Sequence, residues 1–433
     1  VESRLPYQRL VLPNGLVVFL VNSKTVKTFY STLYIKVGAI NENRKNSGIS
    51  HFLEHLIHEG TQNHKSSRDF SEALEFEGMY QNAKTSKLDT YYWIDSPSDK
   101  SEKTLDFLYE LVFRSTLPES RIENVRQVIL NEYFDVWSEP LNQFSREMFL
   151  KRTKFKNIYQ NEVLGRPDTI KSFTRDDLLN WKNRYYQPSN MVLTIAGNFD
   201  EVKILRKIKN TFGRLKNTEK IKPPKKPRIS YSDFLVYHKK DERDQIRFLI
   251  NFPAFGWKDG GVKKRVQIGL LRFIVSDSPS SRLFKLLRED GNLVYFISSN
   301  TPSLPFMGSF DIAGSTSKNN ILLVIDLIKK ELKKLKERGI LKRELEKAKN
   351  IYRRNVVCFN FETPSQIANW VVDDELKFGK IRLPEDYMKM AQETSVDDIN
   401  RLACDIFDFS KVNAGVMGNL SKEEIEKIKI SLK

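Results

Sequence analysis

Apolar and polar positions along this chain follow two periods. Short apolar runs on either side of Asn14-Gly15 predict a strand pair closed by a hairpin, because Asn-Gly supplies the backbone such a turn needs. Further strands are predicted over Thr28 to Val37 and at Tyr91 to Asp95. Helical spacing, with apolar residues three and four apart, runs through 101–115 and 119–152. The later part of the chain repeats the style, with strands at 234–238 and 245–252 and helices at 262–289, 318–338 and 341–359. Strands mixed with long helices, without a βαβ rhythm, predict an α+β fold in which mainly antiparallel sheets pack against helices.

The repetition is also visible residue by residue. Thr174-Arg175-Asp176-Asp177-Leu178 parallels Ser395-Val396-Asp397-Asp398-Ile399, and Met191 to Asp200 parallels Val412 to Ser421, with Gly197 matching Gly418. Both pairs are 221 residues apart. One offset held across two segments indicates duplication. The expected organisation is two homologous halves, 1–213 and 234–433, joined by a linker over 214–233. That linker holds the Pro-rich basic run Lys220 to Arg228.

Composition narrows the class. The 433 residues are 40% hydrophobic, as in a globular protein, and no apolar run is long enough to span a bilayer. No stable membrane insertion is expected. Cys358 and Cys404 form neither a disulfide framework nor a close-spaced metal pattern. The net charge of +17 comes from lysines interleaved with glutamates on helical stretches, which describes a solvated surface, so no nucleic-acid partner is expected. The chain opens VESRLPYQRL, without a secretory apolar region. A cytoplasmic, bacterial location is expected, or an organelle or the periplasm where a leader has been removed.

The chemistry concentrates in His51-Phe52-Leu53-Glu54-His55. Of five histidines in the chain, His51, His55 and His58 lie within eight positions. On a helix, His51, Glu54, His55 and His58 share one stripe, while Phe52, Leu53, Leu56 and Ile57 face a core. Imidazoles four apart can reach one Zn²⁺, and the glutamate between them can hold a metal-bound water and take its proton. This H-x-x-E-H order mirrors the H-E-x-x-H motif of zinc peptidases. As five residues alone, the stripe fits a polar helix face equally well. A catalytic zinc needs a third protein ligand. Val125, Val128 and Ile129 sit at i, i+3 and i+4, and the position that continues this apolar stripe is Glu132. Such a carboxylate is a ligand, a partner of a buried lysine, or a group turned to solvent.

The motif, 76 intervening residues and then Glu132 resemble the pitrilysin and mitochondrial-processing-peptidase family, in its short two-domain type. Val37 to Asn43 and Gly48-Ile49-Ser50 resemble the lead-in to that family's zinc helix, and Gly60-Thr61 its exit. Asn82 to Ser86 and Asp89 to Tyr92 resemble its substrate strand. The resemblance extends over essentially the whole chain. It implies a zinc endopeptidase with one Zn²⁺ per chain held by His51, His55 and Glu132, and Glu54 as general base. It implies that Asn82, Ala83, Lys84 and Thr85 lie on an edge strand to which an unfolded peptide adds. Arg288 and Tyr295 would bind substrate backbone and steady the oxyanion.

Two positions depart from the family pattern. Val125 replaces a frequent glutamate, whose assisting role falls to Glu123 or is missing. His58 stands where an aromatic or apolar residue is usual, and is expected to lie behind the ligands or in solvent. The resemblance further implies a clamshell homodimer in which Arg288 and Tyr295 of one subunit complete the zinc site of the other. The alternative is a peptide-binding or scaffolding subunit with little activity of its own.

Overall fold

The computed structural model describes residues 7–358 and 361–433. Its chain folds into two compact units that interleave along the sequence. Of the described residues, the first holds 7–136, 158–225 and 361–381, and the second 137–157, 226–358 and 382–433.

The first unit contains strands β1 (Gln8–Val11), β2 (Val17–Asn22), β3 (Thr28–Ile35), β4 (Tyr80–Thr85), β5 (Thr90–Pro97) and β6 (Met191–Gly197). They form one sheet in the order β1-β2-β6-β3-β5-β4. Only the β2–β6 pair is parallel. The hairpin at Asn14-Gly15 is present: Gly15 adopts φ +84° and its N–H donates to Leu12 O (2.8 Å). Strand side chains alternate between faces. Phe29, Leu33, Leu193 and Ile195 join one core with Phe52, Leu53 and Leu56 of the Ile49–Ile57 helix, and with Leu105, Leu108 and Leu111 of the Ser101–Phe113 helix. On the opposite face, Phe19, Val21, Val192 and Ala196 pack against Ala368, Val371 and Val372 of the Pro364–Phe378 helix. Arg9 clasps Glu375 of that helix through two hydrogen bonds, at 2.7 and 3.2 Å.

The second unit contains β7 (Leu235–Lys239), β8 (Gln245–Ala254), β9 (Val294–Asn300), β10 (Ser303–Leu304), β11 (Met307–Ser317) and β12 (Asn413–Met417). The order is β10-β11-β8-β12-β7, with β9 paired to β11. β12 runs parallel to β7 and antiparallel to β8, as β6 does to β2 and β3. Gly197 and Gly418, matched by the repeat, both take positive φ just where these central strands end. One face of this sheet carries the Pro140–Lys151 helix, whose Phe144 and Met148 pack with Met417, Tyr237 and Leu249. A Cβ on Gly415 would lie 2.5 Å from Met148 Sδ and 2.7 Å from Phe144 Cζ, so a larger residue there would make both packed side chains shift. At the end of this helix Arg152 donates to Asp311 Oδ2 (2.8 Å) and Ser309 Oγ (3.0 Å), and Asn251 donates to the other oxygen of Asp311.

The fold is α+β with two helix-packed sheets. Three helical expectations need correction. The stretch 119–152 is two helices, Glu119–Ser138 and Pro140–Lys151, because Pro140 has no N–H to continue the first and starts the second. The stretch 262–289 is Trp257–Val275 followed by a short turn at Arg282–Phe284 and a wider turn at Lys285–Glu289. The stretch 341–359 is an α-helix over Lys342–Arg353 and a wider turn over Arg354–Cys358, and its last residue lies outside the described residues. Among the described residues, no helix is long and apolar enough to cross a membrane.

Candidate metal centre

The Ile49–Ile57 helix begins at Gly48, in a left-handed conformation at φ +93°. Two N–H groups at its start, of Gly48 and Ser50, donate to the two carboxylate oxygens of Glu42 (2.7 and 3.0 Å). A helix N-terminus has unpaired donors, and a carboxylate there answers both the donors and the helix dipole. Burial nevertheless pushes the Glu42 carboxyl up to about 7, against those hydrogen bonds. Phe52, Leu53, Leu56 and Ile57 are wholly buried, which fixes how the helix is turned about its axis. The exit loop is held by Glu110, which accepts from Thr61 Oγ1 (2.5 Å) and Asn63 Nδ2 (2.8 Å) and lies 2.8 Å from His64 Nδ1.

That rotation brings His51 Nε2 and His55 Nε2 to 3.2 Å of each other. Oε2 of Glu132, from the Glu119–Ser138 helix, lies 3.7 Å from each. Among the described residues, these three form the only group of His, Cys, Asp or Glu side chains gathered closely enough to hold a metal. A tetrahedral cation bonded at about 2.0–2.1 Å sets adjacent ligand atoms about 3.4 Å apart, and the three separations bracket that value. Burial, and then the neighbouring His55, push the His51 imidazole down to about 3, and burial lowers His55 as well. Both rings are therefore neutral near pH 7 and offer a lone pair, as a metal requires. Two nitrogens and one carboxylate oxygen match the donor set of a catalytic zinc.

Glu54 stands beside this triangle, 9% exposed, and accepts the hydroxyl of Thr85 from the end of β4. Burial pushes its carboxyl up to about 7, the Thr85 hydrogen bond working the other way. β4 is the sheet's edge strand. Asn82 is exposed, and its side-chain oxygen meets the Ala83 N–H (2.8 Å) while its amide donates to Tyr80 Oη (3.0 Å). Ala83 is half-buried against the core of the motif helix, and Lys84 is exposed on the opposite face.

Other site residues fall elsewhere. His58 is outside the ligand group and caps the end of the motif helix, its ring 5.9 Å from that of Tyr92. Glu123 is engaged by Arg126 Nε (2.9 Å) and Gln127 Nε2 (2.7 Å) on an exposed face, and Val125 is buried. Val128, read as part of a buried stripe, is 54% exposed. The stripe is narrower than the sequence suggests, and Glu132 sits half-buried at its margin. Arg288 and Tyr295 belong to the second unit, where Arg288 donates to Val294 O (2.8 Å) and Tyr295 is exposed at the start of β9. Sequence reading missed Glu42 as the helix cap and Thr85 as the partner of Glu54. Glu42 lies six residues before Gly48, outside the positions from which a helix cap is read in sequence. The Glu54–Thr85 pair has no local signal.

A helix-borne His-His-Glu triangle with a buried carboxylate beside it, on an α+β scaffold, has the make-up of a metal-dependent hydrolase site. Residues 17–167 match Insulinase (Peptidase family M16), and residues 172–352 match the Peptidase M16 inactive domain. The chain belongs to peptidase family M16, in its short form with two such domains. It is 26% identical, over 95% of its length and 99% of the relative's, to the uncharacterized zinc protease YmxG of Bacillus subtilis. It is also 26% identical to the mitochondrial-processing peptidase subunit beta of Saccharomyces cerevisiae, over 97% of this chain and 93% of that one. A protease from Helicobacter pylori has a similar crystal structure, with TM-score 0.84 and 25% identity, covering 96% of this chain and all of that one.

Proposed function

We propose that this chain is a zinc-dependent endopeptidase acting on unfolded peptides. The observation that carries the reading is the ligand triangle of His51, His55 and Glu132 with Glu54 beside it. A zinc ion held by those three residues would supply Lewis-acid chemistry, acidifying a bound water and polarising the scissile carbonyl. Glu54 is the proton carrier. Its Oε2 is held by the Thr85 hydroxyl, which leaves Oε1 to take a proton from water and return it to the leaving amine. The unpaired edge of β4 over Asn82, Ala83, Lys84 and Thr85 takes the substrate as an added strand. Main-chain hydrogen bonds then give affinity with little demand on sequence.

Arg288 and Tyr295 hold substrate backbone and the oxyanion. In this reading the duplicated halves, 1–213 and 234–433 joined through 214–233, divide the labour. A homodimer shares its sites across subunits, and the setting is the bacterial cytoplasm. A non-catalytic, peptide-binding subunit is the competing reading. It is favoured only by the inactive-domain match, and that match at 172–352 does not include the triangle.

The test is metal analysis of the purified chain with digestion of a quenched fluorogenic peptide. One zinc per chain and chelator-sensitive cleavage are expected, with Glu54→Gln keeping zinc and peptide binding while losing turnover. Cleavage by Glu54→Gln at near the wild-type rate would overturn the role of Glu54. Absence of zinc and of cleavage would overturn the reading.

A further inference from the structure

The Pro364–Phe378 helix packs chiefly on β2 and β6. The same face of β3, β5 and β4 stays open beside it, as a groove of about 890 Å³. This is the face away from the ligand triangle: Lys84 lines the groove, while its neighbour Thr85 reaches Glu54 on the other side. Tyr30, Tyr34, Tyr91 and Trp93 rise from the strands and Trp370 from the helix, all half-exposed. Tyr34 lies directly across from Tyr91 in the β3–β5 pair, and their rings stack with centroids 4.7 Å apart. The Tyr91 and Trp93 rings follow at 5.5 Å, inclined by 30°. Tyr30 and Tyr34 both donate to Asn369 Oδ1 (3.4 and 3.2 Å), which steadies the row from the helix side. Five half-exposed aromatics in one groove exceed what a solvated sheet face carries, and such patches mark recognition surfaces.

One carboxylate of the groove points to the partner. Asp89, Asp95 and Asp373 line it together with Lys84 and Lys377, so its charges nearly balance and what matters is which carboxylate is left without a partner. Asp373 is neutralised by Lys377 (2.5 Å), and Asp89 accepts from Ser86 Oγ (2.9 Å). Asp95 has no hydrogen-bond or ion-pair partner among the described residues, and partial burial raises its carboxyl above the usual range. The groove runs on past Asp95 into a second depression of about 600 Å³ beside Tyr80 and Pro364; Tyr30, Asp95 and Ser365 line both. Together they make a trough suited to a length of chain rather than a single small cation.

We propose that this trough binds an extended, arginine-bearing peptide segment, with a guanidinium laid on the Tyr91 and Trp93 rings and paired with Asp95. A guanidinium is flat, weakly hydrated and forked, so it stacks on an aromatic face while meeting a carboxylate. A lysine ammonium has no flat face to stack and holds its water more firmly. The site depends on neither a metal nor cleavage, so it stands or falls apart from the hydrolytic reading.

The experiment uses the full chain with a chelator present, so that nothing is cleaved. Fluorescence anisotropy measures binding of a labelled glycine-serine octapeptide carrying two arginines, and of its twin with neutral citrulline at both positions. The twin should bind about 10-fold more weakly, and Asp95→Asn should lose a similar factor for the arginine peptide. Asp95→Lys, at an exposed position where folding can be verified by thermal melting, should bring the arginine peptide down to the affinity of its citrulline twin, and His55→Ala should leave the ratio between the two peptides unchanged. Equal affinity for both peptides, or affinity that follows His55→Ala and ignores both Asp95 variants, would overturn the proposal. So would peptide binding that is absent from the wild-type chain while Trp93→Ala turns a dimer into a monomer, because the groove would then be covered by a second copy.

Discussion

Thr85, the last residue of β4, donates its hydroxyl to Glu54 Oε2 across 31 positions of sequence. The sheet's edge strand therefore also orients the carboxylate beside the His51, His55 and Glu132 triangle. Thr85 acts through Glu54, and so as a positioning residue. Thr85→Val should lower kcat by about 10–100-fold, the range found when a group that orients a metal-site residue is removed, with KM little changed. Thr85→Ser should restore most of the rate because it restores the hydroxyl. Steady-state kinetics on both variants, with zinc content measured alongside, separate this from a general loss of structure. Equal losses in the two variants would show that the hydroxyl is not what matters.

Zinc should stabilise the chain measurably. A ligand that binds only the folded state at 100 times its Kd adds about 2.7 kcal/mol. Differential scanning fluorimetry should show the midpoint of the stripped protein rising on titration with zinc. His51→Ala and Glu132→Ala should each flatten the response, because two ligands from the triangle cannot replace three. A midpoint that still rises in both variants would locate the metal elsewhere.

Glu42 should give the stability a pH dependence. Its folded carboxyl sits near 7, above the value of about 4.5 expected in an unfolded chain. The folded state therefore holds the proton more tightly. This contribution to stability is fully present below pH 4.5 and is lost as pH rises through 7. Glu42→Gln removes the titration, although its amide can accept only one of the two N–H groups at the start of the motif helix. Urea unfolding at pH 5 and pH 8 should show wild type losing on the order of 3 kcal/mol relative to Glu42→Gln between the two conditions. A difference independent of pH would mean that Glu42 is ionised throughout.

Arg152 and Asp311 should be costly to separate. Both side chains are nearly buried, and each has further polar partners in β8 or β11. Asp311→Ala would leave the Arg152 guanidinium without its counter-charge and should lower unfolding free energy by about 3–5 kcal/mol. The double change Arg152→Met with Asp311→Leu should recover much of that loss, since no charge then remains buried. Chemical denaturation checks both. A single variant within 1 kcal/mol of wild type would mean that water reaches the arginine.

Several of these features were legible in the sequence because they are local. Asn14-Gly15 announces its turn, the motif helix its buried face, and Gly197 and Gly418 the ends of matching strands. Pro140 should have broken the stretch 119–152, and the apolar spacing around it masked that signal. Val128 misled because an apolar residue three positions from a buried one can sit on either margin of a stripe. The partners of Glu54 and of the first helical turn lie in other elements, so periodicity does not report them. Periodicity also shows that the Pro140–Lys151 and Pro364–Phe378 helices each have an apolar side, but not which sheet that side covers.

Those two helices cross over. The one from the first half of the sequence covers the second sheet, and the one from the second half covers the first. A cut in the chain between residues 214 and 233 would therefore not release two finished domains. Each fragment would lack a helix that the other carries, and would leave a strip of apolar sheet exposed. The nicked molecule should stay together as a complementing pair. The two fragments, expressed separately, should be poorly soluble alone and should regain a cooperative thermal transition when mixed.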